Sequence, residues 1–288
     1  MLAPHVVCEL SREVEAAFAD VHLIALDVEG VDLSRAGSYC LYMDSTSSDR
    51  TSVHAGKCSL VQLAVPAAGE GTQCFLFDVL DKSKQDPMIC FLRGILESDS
   101  VLKIIHDCRM DSDALHHLLD IKLTNVHDTS CWHGKLTGNC DVNLNDLLQG
   151  NGLKPNVVRD NGIYESNPNF WTIRPLTEKM VTWAAGDVEL MFKVHARQVA
   201  MASPNIASKS IDLSNEFLDM ARSAEIGWFK VRVNVGRFIG SRGSNLRSLQ
   251  YATNTLIYSR GKRSAAEFMV FYKDVASLQR VKQRAGDV

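Results

Sequence analysis

Apolar positions in the first half of the chain fall in short continuous blocks; later they recur at helical spacing. HLIALDVEG (22–30) is an apolar run ending in carboxylates and Gly30. CSLVQLAVP and CFLFDVL follow, separated by a glycine-containing turn, and all three read as strands. DPMICFLRGILES has helical period, VLKIIHD is a short buried strand, and DSDALHHLL continues it as a helix. NVHDTS reads as another strand end. LTEKMVTWAAGDVELMFKVHARQV reads as one long amphipathic helix that follows Pro175 and is capped by Thr177. Three successive strands, then strands alternating with helices, predict a mixed-sheet α/β domain. Residues 31–57 are polar and small, and are expected to form a long loop or an inserted hairpin.

Beyond residue 200 the pattern changes. ASPNIASKS reads as a linker and IDLSNEFLDMARSA as a bridging helix. The remainder reads strand, short helix, glycine loop, helix, strand, strand, helix. The expected organisation is a first domain over 1–202, a linker and bridging helix over 203–226, and a small α+β domain over 227–288.

At 288 residues, 45% hydrophobic and 23% charged, the chain has the composition of a globular protein with a sizeable core. No run of about 18 apolar residues is present, so no membrane span is expected. The first residues lack a basic flank and a continuous apolar stretch, so they do not read as a secretion signal, and their acidic residues argue against a transit peptide. The eight cysteines form no CxxC and lie mostly in apolar runs. Reduced thiols inside a cell, in cytoplasm or nucleus, are the expectation, rather than a disulfide framework or zinc.

Charge divides the chain further. From residue 221 onward there are thirteen Lys and Arg against four Asp and Glu, a net +9, while the rest carries −12. An acidic body with a basic tail points to nucleic-acid contact, although a solvated basic face has the same composition.

Asp27 and Glu29 are two apart on a strand and share a face. Two like charges together require solvent or a cation. Asp111 opens the helix after KIIHDCRM, where an aspartate commonly caps or pairs with the helix dipole. Asp187 lies mid-helix beside Gly186, with Trp183 one turn earlier on the same face. Each residue alone is unspecific; their order is not.

ALDVEGVDL, VLKIIHDCRMDSDAL, NVHDT and FWTIRPLTEKM…AAGDV together resemble the DEDD superfamily of 3′–5′ exonucleases, in its ribonuclease D branch. The likeness is strongest to the subgroup containing the Egalitarian RNA-transport protein, and covers roughly residues 20–200. It implies a ribonuclease H-like fold with a mixed five-stranded sheet and flanking helices. It also implies that Asp27, Glu29, Asp111 and Asp187 hold two divalent cations, magnesium or manganese. Such cations suit hard oxygen ligands and clamp the attacking and leaving oxygens of an in-line displacement. Asp107 and Asp113 are the alternatives to Asp111, which is favoured because it falls five residues after His106. In the family a tyrosine stands four residues before the last aspartate and orients the nucleophilic water. Trp183 stands there in this chain, and Thr182 stands where the sister branch uses histidine. An indole has one N–H donor and no ionisable hydroxyl.

VGRFIGSRGSNLRSL holds Ile239, Gly240, Ser241, Arg242 and Gly243 between two helices. In its strand–helix–helix–strand–strand–helix context this resembles a eukaryotic-type KH domain, whose GxxG loop clamps the backbone of four single-stranded nucleotides. Arg237 and Arg247, with Lys262 and Arg263, would add phosphate attraction.

The expected function is a metal-dependent 3′–5′ exoribonuclease fed by a KH domain, with single-stranded RNA as partner, single-stranded DNA as a further substrate class, no membrane, and room for protein partners. The alternative is a weak or inactive pseudo-exonuclease that binds RNA or scaffolds an assembly. Trp183 divides the two.

Overall fold

The computed structural model describes residues 3–31, 33, 56–67, 71–139, 142–160, 162–163, 167, 169–259 and 266–287. The expected loop or hairpin over 31–57 lies mainly outside them, as do Cys40, Cys140, Lys262, Arg263 and the Arg242 side chain.

The described residues group into two compact units that divide between Leu218 and Asp219. The first is a ribonuclease H-like α/β unit built on β1 (His5–Val7), β2 (Leu23–Val31), β3 (Lys57–Pro66), β4 (Thr72–Asp78), β5 (Leu102–Ile105) and β6 (Val126–Asp128). Their order across the sheet is β1-β4-β3-β2-β5-β6. β2–β3 and β3–β4 are antiparallel, whereas β1–β4, β2–β5 and β5–β6 are parallel. The sheet therefore has six strands rather than five. The additional strand is three residues long, too short to show a periodicity of its own. β3 is buried from Cys58 to Val65, as a central strand covered on both faces must be.

Helices α1 (Arg12–Phe18), α2 (Pro87–Leu96), α3 (Arg109–Leu119), α4 (Thr129–Thr137) and α5 (Leu144–Gly150) flank this sheet. The stretch expected as one long helix is two, α6 (Glu178–Val188) and α7 (Met191–Met201). The hydroxyl of Thr72 donates to the Glu189 carbonyl at 3.2 Å, and the Lys193 amide turns instead to the Leu190 carbonyl at 3.1 Å. The i→i−4 ladder breaks there, and Val188, Met191 and Val194 all enter one core with Ala25, Ala64 and Ile104. Thr177 caps α6, its hydroxyl accepting from the Met180 amide, as its sequence predicts.

The expected linker is helical as well. α8 runs unbroken from Pro204 to Arg222. Pro204 suits a first helical position, and Ser210 and Ser214 bond back to Ile206 and Ser210 carbonyls. Both serines are buried, and Ser214 also accepts from the Asp128 amide. Small polar residues that read as a linker are here used for close packing.

The second unit contains β7 (Glu225–Lys230), α9 (Val235–Ile239), α10 (Ser244–Thr253), β8 (Leu256–Ser259), β9 (Glu267–Tyr272) and α11 (Val275–Ala285). Its antiparallel sheet has the order β7-β9-β8. Its core is Phe229, Val231, Phe238, Ile257, Phe268, Val270, Val281 and Ala285. Among the described cysteines, Cys58, Cys74, Cys108 and Cys131 are buried thiols, while Cys8 and Cys90 are exposed. No described helix is long and apolar enough to cross a membrane.

Candidate active site

β2 and α6 build the site. The pleat of β2 puts Asp27 and Glu29 on one face, and a register shift between Glu29 and Gly30 ends the regular ladder beside them. Gly30 is required there, because a Cβ would stand 2.0 Å from the Lys57 carbonyl oxygen. α6 packs over this face and lowers Asp187 onto it. Ligand oxygens of Asp27, Glu29 and Asp187 all lie within 4.8 Å of one another.

Asp111 sits in the first turn of α3, which Cys108 rather than Asp111 caps. It lies outside that close trio but is buried, and it feels the charge of Asp27. Burial first, and the Asp27 charge second, push its carboxyl well above the usual range. Asp107 is committed elsewhere, forked by Arg109 at 2.5 and 2.7 Å. Asp113 is fully buried, 3.7 Å from His117. Of the three candidates for the second motif, Asp111 is the one coupled to Asp27.

Burial, then the Asp187 charge, raise Asp27 to about 7, while Arg159 pulls it back. Asp187 is raised by burial and held down by Arg159 and Asn156, with a smaller pull from the Trp183 side chain. This group of carboxylates therefore lacks positive charge in proportion to its burial.

Two residues that the sequence reading missed supply part of it. Arg159 Nη1 stands 3.0 Å from Asp187 Oδ1. Asn156 Nδ2 donates to the same oxygen at 3.0 Å and to the Trp183 carbonyl at 2.8 Å. Asn156 is fixed by a reciprocal pair of bonds with Asn145, at 2.8 and 3.1 Å. Gly186 makes room for it: a Cβ there would lie 2.7 Å from Asn156 Nδ2. The glycine beside Asp187 was a signal that something approaches α6 closely. Asn156 and Arg159 themselves lie in an irregular polar run with no period to mark them.

Trp183 shares its face with Asp187 and is 0% exposed. It packs against Trp171 and Phe170, at centroid distances of 5.6 and 5.8 Å, in a core with Leu60, Leu76, Met180 and Ala184. It fills space beside the carboxylates and presents no ring to stack on a base.

His106, the register marker, does not join the carboxylates. Its ring nitrogens are 2.9 Å from Thr129 Oγ1 and from the Val142 carbonyl, tying β5 to the segments around α4. Asp128 is a second structural carboxylate: it accepts from the Asp107 and Cys108 amides and caps α4 through Ser130 and Cys131.

A divalent cation fits this chemistry. Asp187 Oδ2 is buried without a hydrogen-bond partner among the described residues. Gln62, opposite Asp27 on β3, is fully buried with both amide atoms likewise unpartnered. Hard oxygens converging with unsatisfied valence are what magnesium or manganese requires.

In the second unit the loop predicted from the sequence is built from backbone. Gly240 has φ +78° and ψ 173°, a region essentially closed to other residues. Gly243 has φ +80° and ψ 11°. Between them Ser241–Gly243 forms one 3-10 turn. Arg237 and Ser241 are exposed, Arg247 is half-buried, and Ile239 lies partly buried against the core.

A mixed six-stranded sheet carrying clustered carboxylates on a central strand and a covering helix is the ribonuclease H-like arrangement. Residues 35–198, more than half of the chain, match the 3′–5′ exonuclease family, and the chain belongs to it. That stretch includes Asp111 and Asp187; Asp27 and Glu29 precede it. The chain is 33% identical over 103 residues to the human piRNA biogenesis protein EXD1, covering 31% of this chain and 20% of that protein. It thus spans about a fifth of the length of the curated relatives it matches. The fold is similar to Trypanosoma brucei RNase D in complex with RNA U12 (TM-score 0.57, 22% identity, 77% of this chain and 71% of that one). It is also similar to Brucella melitensis NrnC with bound Mg2+ (TM-score 0.53, 17% identity, 76% and 90%).

Proposed function

We propose that the chain is a metal-dependent 3′–5′ exoribonuclease whose C-terminal unit, a KH domain over about residues 227–288, holds the single-stranded substrate. The observation that carries this is the convergence of Asp27, Glu29 and Asp187 oxygens within 4.8 Å, with a buried unpartnered oxygen on Asp187. Asp27, Glu29 and Asp187 would hold the cations, with Asp111 as the fourth carboxylate. Bound magnesium or manganese supplies the positive charge that activates water and stabilises the departing 3′ oxygen of a phosphodiester. The chain's own contribution is position: β2 fixes Asp27 and Glu29, while Asn156 sets the rotamer of Asp187 and leaves its second oxygen free. Trp183 keeps bulk water from the α6 side of the site.

RNA as the substrate class is supported by the RNase D complex with RNA and by the relatives named for piRNA biogenesis. The net charge of +9 beyond residue 220 supports the C-terminal unit as its holder. The β-α-α-β-β-α order with two positive-φ glycines supports the KH reading of that unit. Buried unpaired thiols support an intracellular, reducing location.

A second reading, an RNA-holding protein that does no chemistry, is favoured by two observations. Trp183 replaces the family's tyrosine, and Arg159 already neutralises part of the acidic site. One experiment separates the two. A 5′-labelled single-stranded RNA is incubated with the protein and Mn2+, beside an Asp27→Ala/Glu29→Ala variant. A ladder receding from the 3′ end, absent with the variant, supports the exonuclease. RNA retained on a gel but uncut by either protein overturns it in favour of the holder.

A further inference from the structure

The Arg159–Asp187 pair is the feature the exonuclease reading leaves unexplained. Both partners converge on one oxygen, Oδ1, which takes Arg159 at 3.0 Å and Asn156 at 3.0 Å, while Oδ2 has no partner among the described residues. Asn156 is locked by Asn145 and by the Trp183 carbonyl. Arg159 lies in a segment that is neither helix nor strand, its amide 3.4 Å from the Asn156 carbonyl, and its side chain has no second carboxylate within ion-pair distance among the described residues and is 32% exposed. One donor at Asp187 is therefore a short side chain held on both sides, and the other sits at the end of a long, partly exposed side chain that can swing away. Arg159 also feels the charges of Asp27 and Glu29, so its guanidinium is a counter-ion for the whole trio. A guanidinium at 3.0 Å from a carboxylate competes with any second cation for that charge. Its planar fork also matches the two non-bridging oxygens of a phosphodiester.

The geometry points to Arg159 as a tethered cation that occupies Asp187 in the free chain and passes to a phosphate of the incoming strand, releasing Asp187 for the divalent cation. This rests on the exonuclease reading of the same site. Metal and RNA then each favour the other's binding, because a coupling between two sites is reciprocal. Arg159 is thus a positioning residue for the metal and a phosphate contact for the substrate.

The signature is a pair of effects with opposite sign. Replacing Arg159 with glutamine removes the competitor, so calorimetric titration of the metal-free full chain with Mn2+ should show about tenfold tighter binding than wild type. That gain should vanish in the Asp187→Asn background, where Arg159→Gln/Asp187→Asn binds Mn2+ no tighter than Asp187→Asn alone. Binding of a 5′-labelled oligouridine, measured by anisotropy in Ca2+, should weaken about threefold in Arg159→Gln for loss of one phosphate contact. Arg159→Lys, which keeps the charge without the fork, should leave Mn2+ affinity near wild type and confirm that charge sets the competition. A purely structural role would lower the melting temperature and weaken both ligands together. Mn2+ bound no tighter by Arg159→Gln, or RNA bound no more weakly, overturns the hand-over while the metal site stands. If neither wild type nor Arg159→Gln takes up Mn2+, the metal site fails and the hand-over with it.

Discussion

In the proposed function the carboxylate site and the glycine loop would meet nucleic acid by opposite means. At the first, the chemistry resides in side chains: Asp27, Glu29 and Asp187 are brought together by a strand and a helix in a buried setting where their charges are costly. At the second, the constraint resides in the backbone: Gly240 and Gly243 hold positive φ, with neighbouring atoms of Asn245 and Arg247 close where a Cβ would stand. The first region stores electrostatic energy that a cation can release. The second stores conformational restriction, and nothing in it needs neutralising. A site of the first kind should be lost by changing a functional group and tolerate changes in nearby size. A site of the second kind should tolerate changes in polarity and be lost by adding a Cβ.

The largest effect expected from this contrast is at the carboxylates. Asp27→Ala/Glu29→Ala should reduce trimming of labelled RNA at least about a hundredfold, the scale of removing preorganised charge stabilisation. Its affinity for the same RNA in a filter-binding assay should change by less than about threefold, because phosphate attraction resides mainly in the basic unit. An equal loss in both assays would break the division of labour.

Trp183→Tyr is next. Trp183 is fully enclosed by Trp171, Phe170 and Met180, so a smaller ring leaves a gap and should cost about 2–3 kcal/mol in chemical denaturation. The new hydroxyl should nonetheless raise the trimming rate. A stability loss with no gain in rate would mean that the position does not orient water in this chain.

Among the described residues, mild acid should titrate histidines in one unit only. Burial, with a further push from His195, holds His127 down at about 3, stacked on Trp132 and 2.8 Å from Gln198 Oε1. In the unfolded chain the same ring takes a proton below about pH 6.5. Between those values the unfolded state binds the extra proton, so His127 by itself lowers stability as pH falls, by about 2 kcal/mol on reaching pH 5, while the raised carboxyls of Asp27, Asp111 and Asp187 act with the opposite sign. No histidine follows His195 in the chain. The acid loosening due to His127 should therefore appear in segment-resolved amide exchange as the difference between wild type and His127→Gln around His127, with no such difference in the strands of the C-terminal sheet.

The smallest effects distinguish the two glycines. A Cβ on Gly240 would meet the Asn245 backbone amide at 2.7 Å, whereas on Gly243 it meets the flexible end of Arg247 at 2.8 Å. Gly240→Ala should cost about 2 kcal/mol and Gly243→Ala about 1 kcal/mol in the melting of the C-terminal unit. Both should weaken RNA retention without touching Mn2+ binding.

How far the sequence led follows from the same distinction. β2, β3 and β4 were legible because their apolar runs are long, and the carboxylates because each falls at a fixed place on such an element. Asn156 and Arg159 were not, since they reach the site from an irregular loop that only tertiary structure brings to α6. The break between α6 and α7 was hidden because both helices keep apolar spacing across Glu189, and the cause is a hydroxyl on Thr72, over a hundred residues earlier. The serine-rich start of α8 reads as linker by composition, because composition does not reveal that its serines bond their own helix. Gly240 and Gly243 were legible as a motif, and the φ values supply the reason.

The central claim, that Asp27, Glu29, Asp111 and Asp187 bring divalent cations onto the phosphate being cut, is tested most directly by sulfur substitution. A single-stranded RNA is prepared with a phosphorothioate at its last linkage only, and its trimming is timed in Mg2+ and in Mn2+. Sulfur is a poor ligand for magnesium and a better one for softer manganese. The account predicts that sulfur slows removal of the last nucleotide strongly in Mg2+ and much less in Mn2+, with wild-type protein. Equal slowing in both metals, or trimming that persists when both are chelated, would contradict it.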